Sequence, residues 1–125
     1  MFDSHCHLTD GRFDEDRAAV LDASFQAGVT RIVTVASNLE DARAAAKLAR
    51  SHAELAGSHA ALWSTAGIHP HEVSEAEDAD LAAVRELAAT DPRVVAIGET
   101  GLDYFYDHSP RELQRRWFEA QLEVA

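Results

Sequence analysis

The sequence has little of what extracellular, membrane-spanning or nucleic-acid-coating proteins depend on. Cys6 is its single cysteine, so no internal disulfide can form and a reducing cytoplasm is the expected compartment. No apolar run approaches the roughly 18 residues that cross a bilayer, and residues 1–4 do not resemble the start of a signal peptide. The 22 acidic residues outnumber the 11 basic ones, and the net charge of -11 excludes a basic nucleic-acid coat protein and a polybasic membrane binder.

The rest of the composition is that of a folded domain. Hydrophobic residues make up 46% of the chain and charged residues 26%, which argues against intrinsic disorder. A length of 125 residues is typical of one domain. With this acidic balance, any anionic substrate has to be held by a few local groups rather than by the overall charge.

Nearly continuous apolar runs predict the buried strands of a parallel sheet. Residues 32–36 and 94–98 are two such runs, residues 62–68 are a third candidate, and residues 2–6 are a shorter and more polar first one. Strands that are covered by helices on both faces have this pattern.

Four helices are predicted between and after these strands. They span residues 13–27, 37–51 and 80–89, and the last runs from residue 113 onward. The first opens with three acidic residues and stops before Gly28, while the second and fourth open with capping boxes that begin at Ser37 and Ser109. Pro110 is expected at the first position of the fourth helix.

The order of elements is therefore strand then helix, four times. It predicts an α/β fold with parallel strands and right-handed crossovers, that is, the (β/α) units of a TIM barrel. A complete (β/α)₈ barrel takes about 250 residues, so about four of the eight units are present. We expect residues 1–125 to form the N-terminal half of such a barrel, truncated or split, which ends inside the fourth helix because no stop signal precedes Ala125.

Two histidines, His5 and His7, close the first predicted strand. Side chains alternate along a strand, so both imidazoles point to one face and Cys6 points to the other. Two imidazoles at positions i and i+2 can converge on a divalent metal, although two polar residues that merely close a strand give the same pattern. Asp3 lies on the same face of the strand as His5 and His7, and it is expected to orient a ligand histidine without binding the metal itself. Cys6 is expected to be a buried, inert thiol.

Two further candidates follow the third and fourth predicted strands. Glu99 comes directly after an apolar run, and a carboxylate in that place is costly unless a cation or hydrogen bonds meet it. Gly98 and Gly101 allow a sharp backbone turn beside it. The favoured interpretation of Glu99 is a bridging metal ligand, and the alternative is a helix-capping glutamate. His69 follows the third predicted strand and faces the same end of the sheet as Glu99. It is expected to donate a hydrogen bond to a phosphate or an oxyanion.

The other histidines receive no catalytic role. His71 is expected to be a solvated loop residue and His108 to lie on the surface, while His52 and His59 lie around the connection to the third strand, on the opposite side. No Gly-rich phosphate loop, Ser-His-Asp signature or CxxC pair is present. Only the metal-type group stands out from the background.

Three segments together resemble the TatD family of metal-dependent deoxyribonucleases. They are Phe2-Asp3-Ser4-His5-Cys6-His7-Leu8, Gly67-Ile68-His69-Pro70-His71 and Ile97-Gly98-Glu99-Thr100-Gly101-Leu102-Asp103-Tyr104. Each motif is weak alone, but all three occur in order at the ends of strands one, three and four, and together they span almost the whole chain.

The resemblance implies a TIM-barrel metallohydrolase that acts on ester bonds. Such an enzyme cuts phosphodiester bonds in DNA, often from a 3′ end of single strands, by water attack assisted by two divalent ions. His5 and His7 would bind one ion, and Glu99 would bridge both and is the candidate catalytic residue. Metal-assisted ionisation of water would suit this chemistry, and Mg²⁺, Mn²⁺ and Zn²⁺ all stay open as the metal.

The resemblance also assigns roles outside the metal ligands. His69 would hold the substrate phosphate, and Asp103 and Tyr104 would shape the loop beside the centre without binding the ions directly. The expected partner is a DNA substrate, with RNA as an open alternative and no membrane. No element of the sequence is suited to reading bases, so sequence-independent binding is expected.

Two alternatives remain at this point. Another HxH metallohydrolase, such as a PHP-type phosphatase, also opens with a D-x-H-x-H strand. The second alternative is a non-catalytic metal-binding half-barrel that pairs with a second copy or another chain. Family members take further metal ligands from the second half of the barrel, so this chain alone is expected to be inactive and to need that half or a second chain.

Overall fold

The computed structural model describes residues 1–56 and 61–125. His59, one of the histidines without an expected role, lies outside the described residues. Among the helices that are described, none combines the length and the apolar character needed to cross a membrane.

Four β-strands alternate with four α-helices in the described part of the chain. The strands are β1 (Phe2–Cys6), β2 (Arg31–Thr34), β3 (Leu62–Ala66) and β4 (Val94–Ile97). The helices are α1 (Arg17–Gln26), α2 (Leu39–Ala56), α3 (Asp78–Thr90) and α4 (Arg111–Leu122), and a 3-10 turn at Gly11–Phe13 precedes α1. The strands pair in parallel in the order β1-β2-β3-β4, which confirms the predicted parallel α/β architecture and places all four carboxyl ends at one edge of the sheet.

Two apolar clusters hold the helices on this sheet. The larger joins α2, α3 and α4 to β3, to β4 and to the chain that follows β2 and β3. Its fully or nearly fully buried members are Ala36, Ala42, Ala46, Ala66, Ile68, Val73, Val84, Val94 and Trp117. The smaller cluster centres on Leu21 of α1, Ile32 of β2 and Leu62 of β3. Burial of these side chains is the main stabilising term, and it fixes where the strand ends lie.

The outer strands of the described sheet are less covered than the inner ones. Thr34 of β2 and Ser64 of β3 are fully buried, whereas Val95 of β4 is 54% exposed and Ala96 is exposed beside it. The prediction that residues 94–98 are covered on both faces is therefore wrong for β4. Within the described residues β4 has a neighbouring strand on one side only, so its other edge stays open.

Helix α1 begins at Arg17 and not at Phe13 as the sequence predicts. The carboxylate of Asp10 accepts the amide of Arg12 at 2.8 Å and pairs with its guanidinium at 2.8 Å, which stabilises the 3-10 turn instead. Asp14 binds the side chain of Arg17 at 2.6 Å and so lies in the turn before the helix. Short-range hydrogen bonds of this kind compete with helix initiation.

The cap of α2 is displaced by one residue from the predicted box. Asn38 Oδ1 accepts the amide of Asp41 at 3.0 Å, and the Asp41 carboxylate accepts the amide of Ser37 at 2.8 Å. The helix also continues to Ala56, beyond the predicted end near residue 51. Helix α3 agrees closely with the predicted helix at residues 80–89.

Helix α4 is not opened by the predicted Ser109 capping box. The Ser109 hydroxyl donates to the carbonyl of His71 at 3.0 Å, and Pro110 precedes the first helical residue rather than occupying it. The Ser109 hydroxyl, which the local pattern assigned to the helix cap, forms a tertiary hydrogen bond instead. The helix ends at Leu122, whereas the sequence predicts that it continues to Ala125.

Candidate metal centre

The carboxyl ends of β1 and β4 bring His5, His7 and Glu99 together. Glu99 Oε2 lies 3.4 Å from His5 Nε2 and 3.8 Å from His7 Nε2. One ligand atom from each of the three residues lies within 4.8 Å of the other two. Two imidazole nitrogens and one carboxylate oxygen in this spacing fit a divalent ion such as Zn²⁺ or Mn²⁺.

The imidazole of His7 is oriented by the neighbouring strand. Its Nδ1 lies 3.0 Å from the carbonyl oxygen of Val35, which can only accept a hydrogen bond. Nδ1 therefore carries a proton, which leaves Nε2 as the nitrogen available to bind a metal. A backbone carbonyl that fixes the tautomer in this way is a common partner of metal-binding histidines, and sequence reasoning missed it.

Asp3 does not have the predicted contact with an imidazole. Its carboxylate accepts the backbone amide of His5 at 3.1 Å, two residues along the same strand. The carbonyl of Val35, and not Asp3, orients a ligand imidazole, because the ring of His7 turns toward the chain that follows β2. Asp3 shapes the backbone that carries His5.

Three hydrogen bonds hold the backbone of Glu99 against the inner strands. The amide of Glu99 donates to the carbonyl of Ala36 at 2.8 Å, and the amide of Gly98 donates to Ala66 at 3.0 Å. The hydroxyl of Thr65 donates to the carbonyl of Gly98 at 2.6 Å. Glu99 is thus fixed by residues that follow or belong to β2, β3 and β4, and Thr65 is a second positioning residue that the sequence did not indicate.

A glycine on the neighbouring strand makes this close approach possible. A Cβ added at Gly67 would lie 2.6 Å from the carbonyl carbon of Gly98, well inside contact distance. A Cβ at Gly98 would meet only the amide nitrogen of Thr100, at 3.9 Å. The close approach of the two backbones beside Glu99 therefore requires glycine at position 67 and not at position 98. Gly101 has a φ of +151°, which favours glycine for a different reason.

His69 faces Glu99 from the third strand end, as predicted. Its amide donates to the carbonyl of Ser37 at 2.8 Å, and its Nε2 lies 3.8 Å from Glu99 Oε1. Its Nδ1 accepts the amide of His71 at 3.1 Å, so the neutral ring carries its proton on Nε2. Burial lowers the pKa of the His69 imidazole, which favours this neutral form with an N–H donor toward the centre.

His71 is partly buried and hydrogen-bonded to Asp103, so the expectation of a solvated loop residue is wrong. Its Nε2 lies 2.5 Å from Asp103 Oδ2, and this hydrogen bond lowers the pKa of the Asp103 carboxyl to about 2. Asp103 also accepts the amides of Phe105 at 2.9 Å and Tyr106 at 3.0 Å. The expected loop-shaping position of Asp103 agrees with these contacts, which join the loop after β4 to the loop after β3.

A buried glutamine on α4 supports this junction. Gln114 is fully buried, and its Oε1 accepts the amide of Asp103 at 2.8 Å while its Nε2 donates to the carbonyl of Ser109 at 2.7 Å. No motif in the sequence marks Gln114 as a supporting residue. Its spacing of three residues from Trp117 was the available signal, because residues three apart share one helix face.

The remaining candidates lie apart from the centre. Burial raises the pKa of the Cys6 thiol to about 11, and its Sγ lies 3.6 Å from the carbonyl of Val33, which agrees with an inert thiol. His108 is exposed, and its ring stacks on Tyr106. His52 of α2 stacks on Phe25 of α1, far from the carboxyl ends of the strands.

The comparison with family models separates the TatD resemblance from the PHP-type alternative. The model described as TatD related DNase matches residues 2–125. The chain belongs to the TatD-related DNase family. This membership favours the TatD resemblance over the PHP-type alternative and implies dependence on a divalent metal, for which His5, His7 and Glu99 are the candidate ligands.

TatD relatives with curated names are similar over the whole chain. The 3'-5' ssDNA/RNA exonuclease TatD of Escherichia coli (strain K12) is 43% identical over 125 residues, which is 100% of this chain and 45% of the relative. The protein of the same name from Salmonella typhimurium is 40% identical over the same shares. The chain thus spans about half the length of the TatD proteins it matches.

Solved structures of TatD proteins share the fold. The TatD homologue YJJV from Escherichia coli K12 matches with a TM-score of 0.86 at 31% identity, over 100% of this chain and 46% of the other. A TatD family hydrolase from Entamoeba histolytica matches with a TM-score of 0.87 at 26% identity, over 99% and 45%. These matches confirm the predicted partial TIM barrel.

Proposed function

We propose that this chain supplies part of the catalytic centre of a metal-dependent nuclease, which hydrolyses phosphodiester bonds at the 3′ end of single-stranded DNA. The observation that carries the proposal is the convergence of His5, His7 and Glu99 at one point, with His69 beside them. Relatives named 3'-5' ssDNA/RNA exonuclease support this substrate class and make RNA the second substrate to test. A cytoplasmic location fits the single cysteine.

The proposed centre would hold two divalent ions. His5 and His7 would be ligands of one of them, and Glu99 would be a ligand of both. Among the described residues, His5, His7 and Glu99 are the single group whose ligand atoms converge in this way. Further ligands to the second ion would therefore come from additional polypeptide, either a continuation of this chain or a second chain, and the 125 residues alone would be inactive.

The ions, when bound, would acidify a water molecule and offset the negative charge of the attacked phosphate. The residues of this chain prepare that reaction. The Val35 carbonyl orients the His7 ring so that Nε2 is directed at the centre. Three hydrogen bonds hold the backbone of Gly98 and Glu99, which positions the Glu99 side chain. His69 presents its Nε2 proton to a phosphate oxygen, because its Nδ1 is already engaged by His71.

The acidic character of the chain is compatible with this substrate. With a net charge of -11, the surface as a whole repels nucleic acid. Binding of phosphates at the centre would then depend on the ions and a few local donors, so removal of the metal should abolish this phosphate binding as well as cleavage.

Cleavage of 3′-labelled single-stranded DNA and RNA tests the proposal. The 125-residue chain alone and a complete protein, in which additional polypeptide supplies the remaining ligands, are each assayed with Mg²⁺, Mn²⁺ or EDTA. We expect metal-dependent cleavage by the complete protein and none by the chain alone. His5→Ala and Glu99→Gln should each lower the rate by about 100-fold or more, because each removes a metal ligand.

Two variants away from the strand ends are matched controls. His52→Ala removes a histidine, and Glu54→Gln neutralises an exposed carboxylate, both on α2. Both should cleave at the wild-type rate. A complete protein that binds divalent metal and leaves DNA and RNA intact would show that the centre belongs to another hydrolase.

A further inference from the structure

Three consecutive aromatic side chains point into solvent in the connection between β4 and α4. Phe105 is 85% exposed, Tyr106 is 64% exposed and Tyr104 is 38% exposed. We call residues 104–106 the aromatic loop. A single exposed apolar side chain is ordinary on a protein surface, but a contiguous group of them is a mark of an interaction surface.

A hydrogen-bonded turn orders the backbone of the aromatic loop, and its rings contact one another. Asp103 Oδ1 accepts the amides of both Phe105 and Tyr106, which closes a tight turn beneath the two rings. The ring of Phe105 packs edge to face on Tyr106 with centroids 4.9 Å apart, and Tyr106 lies parallel to His108 at 5.9 Å. A surface that is already ordered loses little conformational entropy when it binds a partner.

Side-chain contacts connect the aromatic loop to the candidate metal centre. Asp103, at the base of the loop, binds His71, and the amide of His71 donates to His69 Nδ1. The other nitrogen of the His69 ring lies 3.8 Å from Glu99. The ring of His71 lies 4.3 Å from the ring of His69 and 5.9 Å from the ring of Tyr106, so the aromatic loop is within reach of a strand whose terminal phosphate lies at His69.

The charges around the aromatic loop are balanced. Arg111 lies 4.8 Å above the Tyr104 ring, but its Nε also binds Asp107 at 3.0 Å. Arg115 reaches the Tyr104 hydroxyl at 3.4 Å and lies 3.7 Å from Glu112. Each cation has an acidic neighbour and Arg111 covers one face of Tyr104, so this surface offers chiefly the rings of Phe105 and Tyr106 rather than a track of positive charge for phosphates.

We propose that the aromatic loop is a stacking platform for the bases of single-stranded nucleic acid whose end occupies the candidate metal centre. The inference rests on the proposed nuclease function. Every base has a flat face that stacks on an aromatic ring, so the platform binds without sequence preference. Because stacking rather than phosphate neutralisation supplies the affinity, binding at the loop depends only weakly on salt.

Equilibrium binding of two oligonucleotides tests the platform. One is a short 5′-labelled oligothymidylate, and the other has the same backbone with abasic sites in place of the bases. We expect the chain to bind the first at least about tenfold more tightly, and Phe105→Ala or Tyr106→Ala to remove about tenfold, equivalent to roughly 1.4 kcal/mol. Phe2→Ala is the matched control, because Phe2 is 55% exposed at the amino end of β1.

The inference fails if the chain binds neither oligonucleotide or binds both equally, or if Phe2→Ala weakens binding as much as Phe105→Ala. Metal binding and cleavage are measured on the same variants to separate the two hypotheses. Cleavage by the complete protein that is insensitive to Phe105→Ala and Tyr106→Ala supports the nuclease and overturns the platform. Base-dependent binding without metal binding or cleavage supports the platform as a binding surface and overturns the nuclease.

Discussion

At the scale of single residues, Gly67 decides how closely the strand end that carries Glu99 can approach its neighbour. A methyl group at this position would overlap the backbone of Gly98, and backbone atoms cannot rotate out of the way as a side chain can. We expect Gly67→Ala to lower the free energy of unfolding by about 1–3 kcal/mol. It should also weaken metal binding, because the displaced segment carries Glu99. Urea denaturation and metal titration measure the two effects.

Gly98→Ala is the contrasting variant. The added Cβ at Gly98 has no close neighbour, so its cost should be clearly smaller than that of Gly67→Ala. Equal losses of stability in the two variants would show that the close approach of the two backbones does not constrain this part of the fold.

The residues that could be predicted from sequence are those whose role follows from position in a strand. His5 and His7 share a strand face, and Glu99 follows an apolar run directly, so their convergence follows from a parallel sheet. Val35 and Thr65 could not be found in this way, because a carbonyl or a hydroxyl that bonds across strands leaves no mark in the local pattern. The roles of Val35 and Thr65 depend on how neighbouring strands are aligned with one another, that is, on the register of the sheet.

At the scale of elements, α4 is attached to the end of β3 by a buried polar side chain. Gln121 is 1% exposed, and its amide group accepts the N–H of Ile68 at 2.7 Å and donates to the carbonyl of Ile68 at 3.0 Å. Gln121→Leu keeps the size of the side chain but leaves both backbone groups of Ile68 buried without these partners. We expect the free energy of unfolding to fall by about 2–4 kcal/mol in chemical denaturation.

Gln26→Leu makes the same chemical change at an exposed position on α1. It should alter stability by less than about 0.5 kcal/mol. If Gln121→Leu is as mild as Gln26→Leu, the hydrogen bonds to Ile68 contribute nothing net to the attachment of α4.

Elements were predictable to different degrees for a physical reason. The strands appear as apolar runs because burial acts on every residue of an inner strand. Helix starts were less predictable, because one polar side chain can satisfy either a cap or a tertiary partner. Asp10 stabilises a 3-10 turn before α1, and Ser109 bonds to the loop after β3 instead of capping α4.

At the scale of the whole molecule, the described chain is a four-stranded parallel sheet with its candidate centre at the carboxyl edge. Its outer strand β4 is open on one side, and Val95 and Ala96 are exposed there. The TatD proteins that it matches are about twice as long as the matched region. Both observations support the proposal that additional polypeptide completes the centre, whereas His5, His7 and Glu99 are already assembled without it.

The central claim is that His5, His7 and Glu99 hold a divalent ion. Calorimetric titration of Zn²⁺ and of Mn²⁺ into the metal-stripped 125-residue chain tests it most directly. We predict saturable binding of at least one of these ions by the wild type, a loss of affinity of about tenfold or more in His5→Ala and in Glu99→Gln, and unchanged affinity in His52→Ala and Glu54→Gln. Binding that is unchanged in both site variants, or absent from the wild type, would contradict the account.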